Sequence, residues 1–133
     1  MKTVLFACVH NAGRSQMAAA WFNRLADALK AHAISAGTMP GEHVHPEVVE
    51  AMREVGFDLS AAKPCRLTEQ VAHTADVLVT MGCGEACPVV SGLRREDWPL
   101  EDPKGASPEA VRAIRDAIRT RVAKLLADNS WGA

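Results

Sequence analysis

The sequence predicts an α/β fold in which a parallel sheet has helices on both faces. Two short apolar runs, residues 4–8 and 76–80, have the pattern of strands buried on both faces. Segments with helical periodicity alternate with the strand candidates, and this alternation favours a parallel sheet. The chain of 133 residues suits one domain with one core, so we expect a single domain over residues 1–133.

The amino-terminal half supplies two strand candidates and two helices. The strand at 4–8 ends at Cys8, and a helix begins near Arg14. Apolar side chains recur every four residues along this helix, at Met17, Trp21, Leu25 and Leu29. Residues 33–36 are another strand candidate. Pro46 begins a second helix that stops at Gly56, with an apolar face made of Val48, Val49, Met52 and Val55.

The carboxyl-terminal half supplies a buried strand and a final helix. The strand at 76–80 leads directly into Met81 and Gly82. Ser107 followed by Pro108 is typical of a helix start, because serine caps the first turn and proline fits its first position. The apolar side chains of this helix are Val111, Ile114, Ile118, Val122 and Leu125.

Composition argues against several classes of function. The formal net charge is −1 and no run of like charges occurs, so a broad basic surface for nucleic acid is not expected. No apolar stretch is long enough to cross a bilayer, and the first residues lack the pattern of a signal peptide. We therefore expect a cytoplasmic protein without nucleic-acid or membrane partners. In that reducing compartment, cysteines are more often reactive, metal-binding or buried than joined in structural disulfides.

The stretch 8–15, CVHNAGRS, joins the first strand to the first helix and predicts an oxyanion site. Backbone N–H groups converge in such a tight loop, and the helix N-terminus adds partial positive charge. Arg14 can hold two oxygens of a tetrahedral anion, and the same field favours the thiolate of Cys8 as a nucleophile. Ser15 can donate a hydrogen bond to that thiolate. The residues expected to line the anion are Val9, His10, Asn11, Ala12, Gly13 and Arg14.

A strand-to-helix turn that merely buries a cysteine is the alternative interpretation of this stretch. Asn11 and the Arg14–Ser15 pair, set between a strand and a helix, argue against it. In parallel α/β sheets, ligands bind beyond the carboxyl ends of the strands. Because Cys8 ends one strand and Cys83 closely follows another, we expect these two cysteines to share one edge of the sheet although 75 positions separate them.

Residues 8–17, CVHNAGRSQM, resemble the active-site loop of the low-molecular-weight tyrosine phosphatase fold, and more closely that of the arsenate reductases built on this fold. The likeness continues through residues 35–37, 44–46, 56–60 and 77–82, then Trp98 and the Asp102–Pro103 pair. The resemblance implies a four-stranded parallel sheet with helices on both faces. It also implies that Asp102 is the general acid that protonates the leaving oxygen.

Two hypotheses are consistent with these residues: the chain is a tyrosine phosphatase or an arsenate reductase. Phosphatases of this type usually line their pocket with aromatic side chains, often just after the Asp–Pro pair. Here Asp102–Pro103 is followed by Lys104, and the chain contains no tyrosine. Many such phosphatases carry a second cysteine immediately before the arginine, where this chain has Gly13. These differences favour a small inorganic anion as substrate.

Two further cysteines, Cys83 and Cys87, favour the reductase. In the thioredoxin-coupled arsenate reductases, two cysteines follow this same strand. The resemblance then implies a relay in which Cys8 attacks arsenate, Cys83 attacks Cys8, and Cys87 carries the disulfide outward. The expected reductant is external, either thioredoxin or a low-molecular-weight thiol with a glutaredoxin-like partner, and no bound cofactor is expected.

The remaining cysteines and histidines are not assigned a role. Zinc would need two ligands beyond Cys83 and Cys87, and no histidine stands at ligand spacing, so no metal is expected. Cys65 is interpreted as incidental. Ala19 and Cys65 stand where some relatives have acidic residues that hold a monovalent cation, so such a site is not expected either. His10 stands where many relatives have glycine and adds a donor at the pocket mouth, whereas His45 is expected to be a cap or a surface residue.

A third hypothesis belongs to another class. The chain could bind an oxyanion without turnover and use its cysteines as a redox switch. Asp102 argues against this sensor, because a protein that only binds the anion needs no proton donor.

Overall fold

The computed structural model of the chain describes residues 1–82 and 93–133. Its strands are β1 (Lys2–Cys8), β2 (Ala31–Gly37), β3 (Val77–Thr80) and β4 (Arg94–Asp97). Its helices are α1 (Arg14–Leu25), α2 (Pro46–Arg53), α3 (Glu69–His73) and α4 (Pro108–Asn129). None of the helices in these two ranges is long and apolar enough to span a membrane.

The four strands form one parallel sheet in the order β2-β1-β3-β4. The central strand β1 pairs with β2 through Cys8 opposite Gly37, and with β3 through Ala7 opposite Thr80. All four strands therefore end at the same edge of the sheet. The expectation of a four-stranded parallel sheet is confirmed.

Alternate residues of β1 supply two separate cores, because successive strand side chains point to opposite faces. Val4, Phe6 and Cys8 join a large cluster with the buried side chains of α1, α2 and α4. Leu5 and Ala7 join a smaller cluster on the other face, which includes Ala72 of α3. Helices thus cover both faces, as the sequence predicts.

Four elements depart from the sequence-based expectations, and one of them is the five-residue helix α3, which the sequence pattern does not predict. Helix α1 ends at Leu25, and Leu29 lies in a turn with its side chain 89% exposed, so the prediction that Leu29 continues the apolar stripe is wrong. Helix α2 ends at Arg53, before Val55. Strand β4 was not predicted, because Arg94–Asp97 consists entirely of charged residues, a composition that suits the edge of a sheet.

Candidate active site

The loop that connects β1 to α1 lies at the carboxyl edge of the sheet. Cys8 is the last residue of β1 and is buried, and Arg14 is the first residue of α1. The N-cap position of α1 is Gly13, and no side chain within residues 1–82 and 93–133 caps the first turn. The free N–H groups of this turn and the helix dipole therefore face the loop, which is the arrangement that binds anions.

The carbonyl groups of the loop are bonded to the structure around it. Cys8, Val9, His10 and Ala12 accept from the backbone N–H groups of Thr38 (3.2 Å), Met39 (2.8 Å), Gly41 (2.9 Å) and His45 (2.9 Å), respectively. Across each trans peptide, the N–H of the next residue points away from the carbonyl. The N–H groups of residues 9–11 and 13 are therefore turned away from segment 38–45, towards the inside of the loop.

Asn11 fixes the conformation of the loop through its backbone and its buried side chain. Its backbone has φ +50°, a left-handed conformation that asparagine adopts more readily than most residues. The side chain is fully buried, and Oδ1 accepts from the backbone N–H of Cys65 at 2.8 Å and from Gln16 Nε2 at 3.2 Å. Because Oδ1 faces these donors, Nδ2 is the atom that donates to Ser15 Oγ at 2.7 Å.

Ser15 connects Asn11 to the cysteine. Its Oγ lies 2.8 Å from Cys8 Sγ. Since Ser15 already accepts a hydrogen bond from Asn11, its own hydroxyl proton is free to point at the sulfur. The chain Asn11–Ser15–Cys8 thus directs a hydroxyl donor at the cysteine sulfur.

Arg14 connects the loop to the segment that carries Asp102. Its side chain is 9% exposed, Nη1 donates to the carbonyl of Leu100 at 3.0 Å, and Nη2 lies 3.9 Å from Asp102 Oδ2. Asp102 is nearly half exposed, and its Oδ1 accepts from the N–H of Lys104 at 3.0 Å. The guanidinium and the carboxylate therefore lie on the same side of the loop.

Pro103 packs directly on Gly13. A Cβ atom at position 13 would lie 2.8 Å from Pro103 Cγ, closer than real Cβ contacts. The missing side chain at this position thus allows the Asp102–Pro103 pair to approach the loop.

One histidine, His10, belongs to the loop, and a second, His45, lies beside it. The rings of His10 and His45 are 6.5 Å apart, and His10 Nδ1 lies 3.1 Å from the carbonyl of Met39. His45 occupies the N-cap position of α2, but its backbone N–H bonds to Ala12 and its side chain makes no capping bond. Burial lowers the pKa of His45 below its usual value, although the charges of Glu47 and Asp102 oppose this effect.

The structure brings together the sequence-predicted residues that it describes: Cys8, Val9, His10, Asn11, Ala12, Gly13, Arg14, Ser15 and Asp102. Cys83 and Cys87 lie outside the described residues. Cys65, interpreted from the sequence as incidental, has an exposed side chain, but its backbone N–H donates to Asn11 Oδ1.

Sequence reasoning missed two contributors to the site. Gln16 Nε2 donates to the carbonyl of Asn11 at 3.1 Å, and it stands inside the quoted motif directly after Ser15. The carbonyl of Leu100, which holds Arg14, carries no side-chain signal that a sequence could reveal.

Comparison with known proteins matches the family model described as low molecular weight phosphotyrosine protein phosphatase over residues 3–130. A Halobacterium salinarum protein named "Putative arsenate reductase" is 42% identical over 126 residues, which cover 90% of this chain and 87% of that protein. The "Glutaredoxin arsenate reductase" of a Synechocystis species is 38% identical over 130 residues, covering 96% and 98% of the two chains.

A solved structure extends the likeness to three dimensions. The thioredoxin-dependent arsenate reductase of Corynebacterium glutamicum superposes with a TM-score of 0.83 at 38% identity. The match covers 96% of this chain, which spans 61% of the length of that protein.

Proposed function

The chain belongs to the low molecular weight phosphotyrosine protein phosphatase family, and we propose that within this family it is an arsenate reductase. The observation that carries the proposal is the position of Gly82, the residue before Cys83. Just after β3, the Met81 N–H donates to the Ala7 carbonyl of β1 at 2.8 Å. The next residue, Gly82, lies against the Arg14 guanidinium. The described chain therefore reaches the oxyanion loop at Gly82, and Cys83 is the next residue in the sequence.

The first proposed step forms a bond between Cys8 and arsenic. The Cys8 thiolate, aided by the Ser15 hydroxyl, attacks arsenate held by the loop N–H groups and Arg14. A hydroxyl group of arsenate leaves, and one proton from Asp102 converts it to water. The 3.9 Å contact between Asp102 and Arg14 supports this role, because it places the acid beside the group that binds the anion.

The second proposed step reduces the arsenic. Cys83 attacks the sulfur of Cys8, the sulfur–arsenic bond breaks, and its electron pair stays on arsenic, which leaves as arsenite. The two thiolates are oxidised to a Cys8–Cys83 disulfide. Cys87 then attacks Cys83, which frees Cys8 and leaves a Cys83–Cys87 disulfide for an external reductant.

The reductant is proposed to be thioredoxin, with a glutaredoxin-coupled thiol as the second candidate. Both donors occur in the names of related proteins, the Corynebacterium glutamicum and Synechocystis reductases. Three cysteines in series suit thioredoxin, because the last disulfide can be attacked directly by a dithiol protein.

Phosphotyrosine hydrolysis is the second candidate function, because the family takes its description from it. Lys104 after Asp102–Pro103 and the absence of tyrosine from the chain argue against an aromatic pocket wall. The reductase relatives support the smaller anion.

The test is arsenate-dependent oxidation of NADPH, measured with thioredoxin and its reductase and then with glutathione, glutaredoxin and glutathione reductase. We expect turnover with at least one system and little hydrolysis of p-nitrophenyl phosphate. Rapid hydrolysis of the aryl phosphate without arsenate reduction would favour the phosphatase. Tight anion binding without either activity would favour the sensor.

Cysteine variants separate the steps of the relay. Cys83→Ser should stop arsenite release, because no thiolate remains to attack Cys8. Cys87→Ser should release one arsenite and then retain a Cys8–Cys83 disulfide, detectable by peptide mapping. Cys65→Ser is the matched control, since the side chain of Cys65 is exposed and only its backbone contacts the site. Normal turnover by Cys87→Ser with thioredoxin would contradict the three-cysteine relay.

A further inference from the structure

Gly82 contacts the guanidinium of Arg14 more closely than any side chain would permit. A Cβ atom at position 82 would lie 2.4 Å from Arg14 Nη1 and 3.2 Å from Cζ. The backbone of Gly82 also has φ +95°, which residues with a side chain rarely adopt. A side chain at this position would therefore have to displace the guanidinium, and the backbone conformation also favours glycine.

The same guanidinium nitrogen is held from a second side. Arg14 Nη1 donates to the carbonyl of Leu100 at 3.0 Å, and the arginine side chain is 9% exposed. Bringing a Cβ at position 82 to an ordinary contact of 3.4 Å would displace Nη1 by roughly 1 Å. A hydrogen bond of 3.0 Å tolerates neither compression nor extension by that amount.

We propose that Gly82 is a positioning residue for Arg14. Its missing side chain lets the guanidinium lie between β3 and the segment that carries Leu100 and Asp102, in the orientation that binds a tetrahedral oxyanion. Bidentate binding of an anion depends on the plane of the guanidinium, so displacement of Nη1 weakens affinity even though the charge of Arg14 is unchanged. The inference rests on the proposed function only in requiring that the loop binds an oxyanion.

Calorimetric titration with phosphate tests the proposal, because phosphate measures anion binding without reduction. Gly82→Ala should weaken phosphate affinity by about tenfold to hundredfold, the range for losing a hydrogen bond to a charged group. Gly56→Ala is the matched control. Gly56 has φ +91° and also faces an arginine, yet a Cβ there would lie 3.4 Å from Arg24 Nη1, an ordinary distance. We expect it to change phosphate affinity less than twofold.

The arginine itself distinguishes positioning from general damage. Lysine at position 14 lacks the Nη atoms that a Cβ at 82 would meet, so in an Arg14→Lys background Gly82→Ala should have little further effect on phosphate affinity. An equal loss of affinity in both backgrounds would overturn the proposal, and so would equal losses from Gly82→Ala and Gly56→Ala.

Folding provides a second readout if Gly82→Ala is unstable. Adding Arg14→Lys should then restore the folded state, because this second substitution removes the clash with the Cβ at position 82. If the double variant is still unfolded, backbone strain is the cause of the instability and the proposal is overturned. A wild-type protein that binds phosphate but does not reduce arsenate would contradict the proposed function alone. A wild-type protein that binds neither phosphate nor arsenate would overturn the role of Gly82 itself.

Discussion

Replacing Asn11 by alanine should both destabilise the protein and weaken oxyanion binding. The substitution removes three hydrogen bonds, to Ser15 Oγ at 2.7 Å, Cys65 N–H at 2.8 Å and Gln16 Nε2 at 3.2 Å. At about 1 kcal/mol each, their loss amounts to about 3 kcal/mol. Alanine at φ +50° adds about 1 kcal/mol of backbone strain.

The expected loss is therefore about 4 kcal/mol in the free energy of unfolding, a large fraction of the 5–15 kcal/mol that is typical of a domain. Urea unfolding followed by tryptophan fluorescence measures it, and protection of Cys8 from alkylation by arsenate measures anion affinity. We expect the variant to lose most of that protection, because Ser15 and the loop backbone lose their common partner.

Asn23→Ala is the matched control for Asn11→Ala. Asn23 also makes paired bonds with the backbone, donating to Ala33 O at 3.0 Å and accepting from Ala33 N–H at 2.8 Å, but it joins α1 to β2 away from the loop. It should lose about 1–2 kcal/mol of stability and keep its anion affinity. An Asn11→Ala protein whose free energy of unfolding lies within about 1 kcal/mol of the wild-type value would refute this account of Asn11. So would full protection of its Cys8 from alkylation by arsenate.

Three further outcomes are expected. Asp102→Asn should slow the first chemical step by about 10²- to 10⁴-fold in single-turnover assays while arsenate still protects Cys8, and an unchanged rate would remove Asp102 from the mechanism. Gly13→Ala should also slow this step, since its Cβ would lie 2.8 Å from Pro103 Cγ, and a Pro103→Ala second substitution should restore part of the rate. Arg112 lowers the pKa of Glu54 to about 2 from 4.5, so the carboxylate contributes stability above pH 4.5 that is lost as pH falls towards 2. Urea midpoints of wild type and Glu54→Gln should therefore differ at pH 7 and converge in acid; a constant difference would contradict the assignment.

The sequence predicts those elements whose buried faces are marked by a regular pattern of apolar residues. β1, β3 and α4 carry clear apolar patterns, and each lies where its pattern indicates. Strand β4 has no such pattern, because an edge strand made of charged residues is held by backbone bonds to β3. Leu29 shows the opposite error, since its spacing fits the stripe of α1 but the chain turns after Leu25.

The residues of the site likewise fall into those that the sequence predicts and those that it does not. Cys8, Arg14 and Ser15 could be found because their chemistry depends on side chains of particular types. The contacts that shape the loop come mainly from backbone groups, such as the N–H of Met39 and the carbonyl of Leu100, and any residue can supply these. Only the folded chain shows which residues do so.

The outward hydrogen bonds of the loop make anion binding a property of the wider fold. The N–H groups of Thr38, Met39, Gly41 and His45 hold four loop carbonyls, so the anion cradle exists only while segment 38–45 is docked. An excised peptide of residues 8–15 should consequently have no affinity for phosphate. Conversely, by mass action, arsenate at 100 times its dissociation constant should stabilise the docked state by about 2.7 kcal/mol. That linkage should slow the hydrogen exchange of these four amides, although each donates to a loop carbonyl and not to the anion.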